Sequence, residues 1–360
     1  MHALEGIRIL DLTRLLPGAM ATQHLADFGA DVIKIEQPGV GDYARTLFMK
    51  HGENPVFAAT NRGKRSVCLD LKTEGGRDAL IRMAREADVL VESFRPGVMD
   101  RLGLGYETVR SVNSRLIYAA LTGYGQQGPM RDAAGHDLNY LAMAGALDLN
   151  GESDRPPAVP NFQIADLAGG AMQTAMGILL ALVARERTGE GQFIDVSMTR
   201  GAAAMLTIAF AQIGAGARGL TRGRGILGGG YACYSVYRCR DNRWLAVGAL
   251  EPKFWSALCQ ALDRADLIDR QYSPEPEQPS LKAELAAIFA TREAAEWVRE
   301  LGPRECCVTL VRTVEEAAAC DWLCVEEPAP KLSSTPGVKA SRAPALGEHT
   351  EELLSKEQSA

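Results

Sequence analysis

The chain has 360 residues, 46% of them hydrophobic and 23% charged, a globular composition too apolar for disorder. Its formal charge of −6 disfavours a nucleic-acid partner held by an overall positive field, so an anionic ligand would need a local basic patch. Cysteines at 68, 233, 239, 259, 306, 307, 320 and 324 and the five scattered histidines lack zinc-ligand spacing, so no metal is expected.

No charged, apolar, small-residue leader precedes the first motif, which leads us to expect a reducing, cytoplasmic setting. The longest apolar stretches, 172–184 and 201–217, fall short of the ~20 apolar residues of a membrane span. Both read as buried helices, and no membrane partner is expected.

In chain order, residues 7–12 form a short apolar run, Leu15-Leu16-Pro17-Gly18 punctuates it, and 19–28 have helical spacing. Residues 30–36 are β-branched and end before Pro38. The same grammar predicts a helix near 74–87, a strand at 88–92, a helix near 106–113 and a strand at 115–121. Strands alternating with helices imply a parallel sheet with helices on its faces. Residues 136–184 read as mostly helical, with a Pro-rich break at 154–160. A turn at 188–192 leads to a further strand at 193–198. A Gly-rich linker, 214–230, marks a boundary. Residues 231–239 and 243–247 then read as a β-hairpin, with helices near 252–262 and 281–289 and a loop at 273–279. The segment 326–344 is Pro/Ser-rich and extended, and 346–355 reads as a closing helix.

Gly223-Arg224-Gly225-Ile226-Leu227-Gly228 matches GxGxxG by letter, but a Gly-rich linker precedes it and a strand follows. A dinucleotide site needs a strand before and a helix after. The β-α-β unit at 7–36 carries Pro17-Gly18 where that fingerprint belongs, so a nicotinamide oxidoreductase is disfavoured. Asn61-Arg62-Gly63-Lys64-Arg65 sets three cations in five residues. It is either a solvated basic face or a phosphate patch at the carboxyl ends of parallel strands, and the acidity of the chain tilts the reading towards the patch. His136, between Gly135 and Asp137, stands where a helix begins. It is a cap, a surface residue or a base, since imidazole alone has an unperturbed pKa near neutrality and a helix N-terminus disfavours an imidazolium. Asp166 and Glu251 each open a helix, and N-capping accounts for either one, Glu251-Pro252 especially well.

The segment Ala134-Gly135-His136-Asp137-Leu138-Asn139-Tyr140 resembles the signature of α-methylacyl-CoA racemases, within the family III CoA-transferase (CaiB/BaiF) superfamily. The resemblance extends along nearly the whole chain. It includes Gly29-Ala30-Asp31-Val32-Ile33-Lys34-Ile35-Glu36, Asn61 to Val67 with Asp70-Leu71-Lys72, Glu92-Ser93-Phe94-Arg95-Pro96-Gly97-Val98 and Arg101-Leu102-Gly103-Leu104-Gly105. Thr122-Gly123-Tyr124-Gly125, Thr188-Gly189-Glu190-Gly191-Gln192 and Val247-Gly248-Ala249-Leu250-Glu251-Pro252 fit as well. Members that transfer CoA resemble this chain around Asp166, the counterpart of their nucleophile, and usually lack a histidine at the place of His136. Racemases have both.

The resemblance implies an α/β fold. It has a large Rossmann-like domain with a parallel sheet (1–200), a linker (201–224), a smaller α+β domain (225–325) and a returning segment (326–360). It also implies an interlocked homodimer. CoA would lie against Leu69, Asp70, Leu71, Lys72, Ser93, Phe94, Arg95 and Arg101, and Gly135, Asp137, Leu138, Asn139 and Tyr140 would line the thioester. His136 and Asp166 would be catalytic, with Glu251 as their partner, and no cofactor is required beyond the CoA of the substrate. The chain departs from the racemase pattern at Gln37, where a basic residue is usual, at Gly228 and Tyr231-Ala232-Cys233, and at Leu310. The implied activity is racemisation of 2-methylacyl-CoA thioesters through an enolate. The alternatives are CoA transfer through an anhydride at Asp166 and a non-catalytic acyl-CoA-binding protein, and the latter is disfavoured because both His136 and Asp166 are present.

Overall fold

A computed structural model of the chain describes residues 2–47, 49, 54–324 and 327–356. Six strands, β1 (Arg8–Leu12), β2 (Asp31–Glu36), β3 (Arg65–Cys68), β4 (Val89–Glu92), β5 (Ile117–Thr122) and β6 (Phe193–Ser197), pair in parallel in the order β3-β2-β1-β4-β5-β6. This is the doubly wound order of Rossmann-like folds, whose ligands meet the carboxyl ends of the strands where the order reverses, here between β1 and β4. Alternate residues of each strand feed opposite cores. Leu10, Ile33 and Leu90 pack on one face with Leu80 and Met83, and Ile9, Val32 and Val89 pack on the other with Leu25 and Ile178. A period of two along strands covered on both faces reads in sequence as a continuous apolar run.

Short polar-rich elements escaped the sequence reading. β3 has only four residues, two of them Arg65 and Ser66, and the helix Pro55–Asn61 precedes it. The supposed break at Leu15–Gly18 lies inside the helix Leu15–Asp27. Pro17 is its third residue, and the first turn of a helix has no use for the N–H that proline lacks. The C-terminal segment returns to β3: His349 N donates to Ser66 O (2.9 Å) and Cys68 N to Thr350 Oγ1 (3.0 Å), which seats the helix Thr350–Lys356 there.

A π-helical stretch, Ala165–Met172, runs directly into the helix Gln173–Thr188. The combined 24 residues hold an 18-residue window with a mean hydropathy of 1.7, long and apolar enough to cross a membrane, and 44% of that window is buried in the molecule. This corrects the expectation drawn from 172–184 alone. The segment packs on the helix Leu15–Asp27 and on β5 and β6, while Met172, Met176, Leu179, Leu180 and Val183 are exposed. The second apolar stretch also departs from expectation. It holds the helices Met198–Ala204 and Thr207–Gly214, and none of the latter's residues is buried.

By internal contacts the chain forms two units, Met1–Ala144 with Pro160–Thr207 and Val325–Ala360, and Gly145–Val159 with Ile208–Cys324. Residues 145–159 thus interrupt the 1–200 span read from the sequence, and the boundary at 325/326 falls outside the described residues. The second unit holds an antiparallel sheet, β7 (Tyr234–Arg238), β8 (Trp244–Gly248) and β9 (Val308–Leu310). The expected hairpin is β7–β8, and the three-residue β9 was too short to foresee. Trp255, Phe289 and Trp297 from three helices fill the core beneath it. The GxGxxG letters fall on a three-residue 3-10 turn, Ile226–Gly228, with no strand before it.

Candidate active site

His136 immediately precedes the helix Asp137–Ala144. Its carbonyl accepts from Asn139 N (2.8 Å) and Tyr140 N (3.2 Å), and its own N–H donates to Asn139 Oδ1 (3.0 Å). Tyr140 is buried against Tyr124 and donates its hydroxyl to Gly135 O (2.5 Å). A side chain at Gly135 would meet Tyr124 and Tyr140 at 2.7 Å, so the glycine is needed for that packing. The exposed imidazole makes no hydrogen bond to a described residue. The Asp137 and Leu138 amides likewise have no acceptor among the described residues, as is usual in a first helical turn.

Asp166 comes to this turn through its neighbour. Its amide donates to Asp137 Oδ1 (2.9 Å), so Asp137, expected only as a lining residue, ties the two catalytic candidates together. Asp166 lies within the π-helical stretch and is not its N-cap, which corrects the capping alternative. π-Helical turns frequently mark functional sites. Burial, reinforced by the Asp137 carboxylate and opposed by His136, raises the Asp166 carboxyl to about 6. Its oxygens accept no hydrogen bond from a described residue. Burial and the Asp166 charge likewise push the Tyr140 hydroxyl up to about 12, so it stays a proton donor.

A second feature of the same unit is a cavity of about 240 Å³ at the carboxyl ends of β1 to β4. Leu69, Asp70, Leu71, Lys72 and Phe94, all expected to meet CoA, line it together with Arg14, Gln37 and Asp42. Ser93 stands behind the wall and accepts from Arg14 N (3.0 Å). Arg95 and Arg101 are exposed and outside the lining, and Arg95 reaches the Asp132 carbonyl. Glu92, buried at the end of β4, accepts from Phe94 N (2.7 Å), and burial pushes its carboxyl up to about 8.

The basic cluster at 61–65 is neither a solvated face nor a phosphate patch. Lys64 is fully buried and pairs with Asp11 (3.1 Å), Arg62 pairs with Asp27, and Arg65 with Asp31. Burial pulls the Lys64 ammonium down to about 8 despite Asp11, and Lys34 and Lys64 outweigh burial to hold Asp11 below the usual carboxylate range. Glu36, at the end of β2 where dinucleotide folds keep a ribose-binding acid, is saturated by Arg45 (2.8 and 2.7 Å), Ser66 (2.6 Å) and Asp42 N (2.9 Å). No acid is left for a nicotinamide ribose there.

Glu251 belongs to the second unit, where it precedes Pro252 at the start of the helix Pro252–Ala261 with its side chain exposed and capping nothing. Arg14 and Asp42 line the cavity of the first unit, and the sequence reading missed both. The signal for Arg14 was its place two residues past the end of β1, where ligands of such sheets bind.

The family model for CoA-transferase family III matches residues 4–350. The human protein named alpha-methylacyl-CoA racemase is 39% identical over 98% of this chain and 92% of its own length. The mouse succinyl-CoA:glutarate CoA-transferase is 36% identical over 82% of this chain and 68% of its own. Among solved structures, a CAIB/BAIF family protein from Brucella suis, 29% identical, matches with a TM-score of 0.85 over 99% of both chains. A match that spans both units and reaches the returning C-terminal segment leaves no part of the fold unaccounted for, and the chain belongs to CoA-transferase family III.

Proposed function

We propose that this chain interconverts the two configurations at the α-carbon of 2-methylacyl-CoA thioesters. The thioester carbonyl acidifies the α-hydrogen. One of the pair His136 and Asp166 takes that proton, the electrons of the C–H bond move into an enolate, and the other returns a proton to the opposite face. Positioned acids and bases of this kind contribute ~10²–10⁴-fold each. The free Asp137 and Leu138 amides suit the enolate oxygen, where a good donor is worth ~3 kcal/mol. The chemistry calls for no metal or organic cofactor, and the reading fits a cytoplasmic enzyme of lipid metabolism. It draws support from the racemase relatives, but the observation that carries it is the hydrogen bond from Asp166 N to Asp137, which brings a raised carboxyl to the turn bearing a free imidazole.

The transferase reading remains a second one, favoured by the transferase relative and by the unbonded Asp166 carboxylate. In it, Asp166 attacks the thioester carbonyl, forms a mixed anhydride and expels CoA as thiolate. The thiolate attacks the Asp166 carbonyl and releases the first acid; the second acid displaces CoA from Asp166 as a new anhydride, and the thiolate then takes its acyl group and frees the Asp166 carboxylate. NMR of one enantiomer of a 2-methylacyl-CoA in D₂O, with an excess of an unrelated carboxylic acid, separates the two. We expect α-deuterium with loss of optical purity, abolished by His136→Ala. Retained α-hydrogen with CoA on the added acid, dependent on Asp166 but not His136, would overturn the racemase reading.

A further inference from the structure

The racemase reading uses the amide of Asp137 for the enolate oxygen and gives its carboxylate no task. That carboxylate is half-buried on the first residue of the helix Asp137–Ala144, where the helix N-terminus favours a negative charge. Among the described residues no cation lies within ion-pairing distance of it. Arg95, which acts on the neighbouring Tyr140, reaches the Asp132 carbonyl, and Arg131 pairs with the Asp132 carboxylate (3.9 Å). What Asp137 does hold is the other half of the catalytic pair: its Oδ1 accepts from Asp166 N (2.9 Å) across 29 positions of sequence.

That bond has a local cause. Asp166 stands in the first turn of the π-helical stretch Ala165–Met172, and the N–H groups of a first turn lack helical acceptors. A polar side chain just before the turn usually caps one of them, but Ile164 stands there and caps nothing. Asp137 does so from another helix. One residue therefore carries, on a single Cα, the amide suited to the enolate oxygen and the carboxylate that fixes Asp166. Movement of the His136 turn carries both along, which preserves the spacing between the oxyanion donor and the proton-transfer group. The charge of Asp137 reaches Asp166 as well. Other elements packed on the π-helical stretch bring His24 and Asp27 from the helix Leu15–Asp27, Asp195 from β6 and Arg200 from the helix Met198–Ala204. The basic residues of Gln173–Thr188, Arg185 and Arg187, lie in its last turn. Of all these groups none acts on the Asp166 carboxyl, which responds to burial, to Asp137 and to His136, and Asp137 acts to keep a proton on it.

We propose that Asp137 is a positioning residue for the proton transfer, holding Asp166 at the turn of His136 through Oδ1 and placing an unpaired negative charge beside the pair. This rests on the racemase reading. α-Deuterium exchange of one enantiomer of a 2-methylacyl-CoA in D₂O, followed in the full chain from pH 5 to 8, tests it. Asp137→Asn keeps an oxygen for the Asp166 amide and loses the charge. Its acid limb should lie roughly 0.5–1 pH unit below that of wild type. The Asp166 carboxyl carbon, read by NMR without substrate, should titrate lower by the same amount. Asp137→Ala loses the bond as well. It should show the same shift and a plateau kcat ~10–100-fold below that of the asparagine variant, with KM changed by less than about threefold. The asparagine variant and its NMR titration serve if the alanine variant does not fold. An acid limb unmoved in Asp137→Asn overturns the proposal, as does an alanine plateau within about twofold of the asparagine one. A wild-type chain that exchanges no α-hydrogen overturns the racemase reading itself, and the proposal with it.

Discussion

A carboxyl raised to about 6 has two measurable consequences at Asp166. In the direction in which Asp166 takes the α-proton, the rate should rise with pH through about 6 and level off above it. α-Deuterium exchange followed from pH 5 to 8 reads that limb, and Asp166→Asn should abolish exchange in that direction. For stability the sign is the reverse. The folded state holds this proton more tightly than the unfolded chain, so the fold loses stability as pH rises from about 4 through 6. Asp166→Asn should therefore be more stable than wild type at pH 7.5, by about 1–2 kcal/mol allowing for partial exposure, and the gain should shrink towards pH 4. An equal effect at both pH values would mean that the carboxyl is not raised. His136 and Asp166 were legible in sequence through their residue types and their setting in the family signature. Asp137 was named only as a lining residue, because its bond to the Asp166 amide spans 29 positions. The basic run at 61–65 was misread for the same reason, since its acids Asp11, Asp27 and Asp31 lie more than thirty residues upstream.

At the scale of elements, the π-helical stretch that carries Asp166 packs backbone to backbone on the helix Met198–Ala204. A side chain at Gly201 would collide with the Gly169 carbonyl oxygen, and one at Gly169 would lie 2.7 Å from Met198 O. Backbone cannot swing aside as a flexible side chain can. Gly201→Ala should thus cost about 1–3 kcal/mol, read from urea midpoints, and should also lower the exchange rate by tilting the turn that holds Asp166. Unchanged stability would show that the two elements are not in close contact. Elements with long, regular patterns, such as the helices Leu15–Asp27 and Glu74–Glu86 and the strands β1, β2 and β5, followed from periodicity. β3, β9 and the helix Pro55–Asn61 did not, because three to seven residues hold too few repeats for a period to register.

For the whole molecule, the exposed stripe of Met172, Met176, Leu179, Leu180 and Val183 needs a cover, since contiguous apolar faces of that kind mark association surfaces. The homodimer that the family resemblance implies would supply it. Sedimentation should then give about twice the 38.7 kDa chain mass, and Leu180→Glu should shift the chain towards monomer. A wild-type chain sedimenting at its single mass would leave the dimer without support.

Residue order alone determined the alternation of strand and helix, the parallel sheet it implies, the turn that presents His136 and the acyl-CoA signature around it. All of these are local, carried within some thirty residues. Tertiary structure alone decided which charges are spent and which are free. Lys64 and Arg14 look alike as letters, yet one is locked on Asp11 in the core while the other faces a cavity between two rings. The energy of a charge depends on burial and on its nearest opposite charge, and both are set by which strands pair, a long-range fact that no local pattern contains.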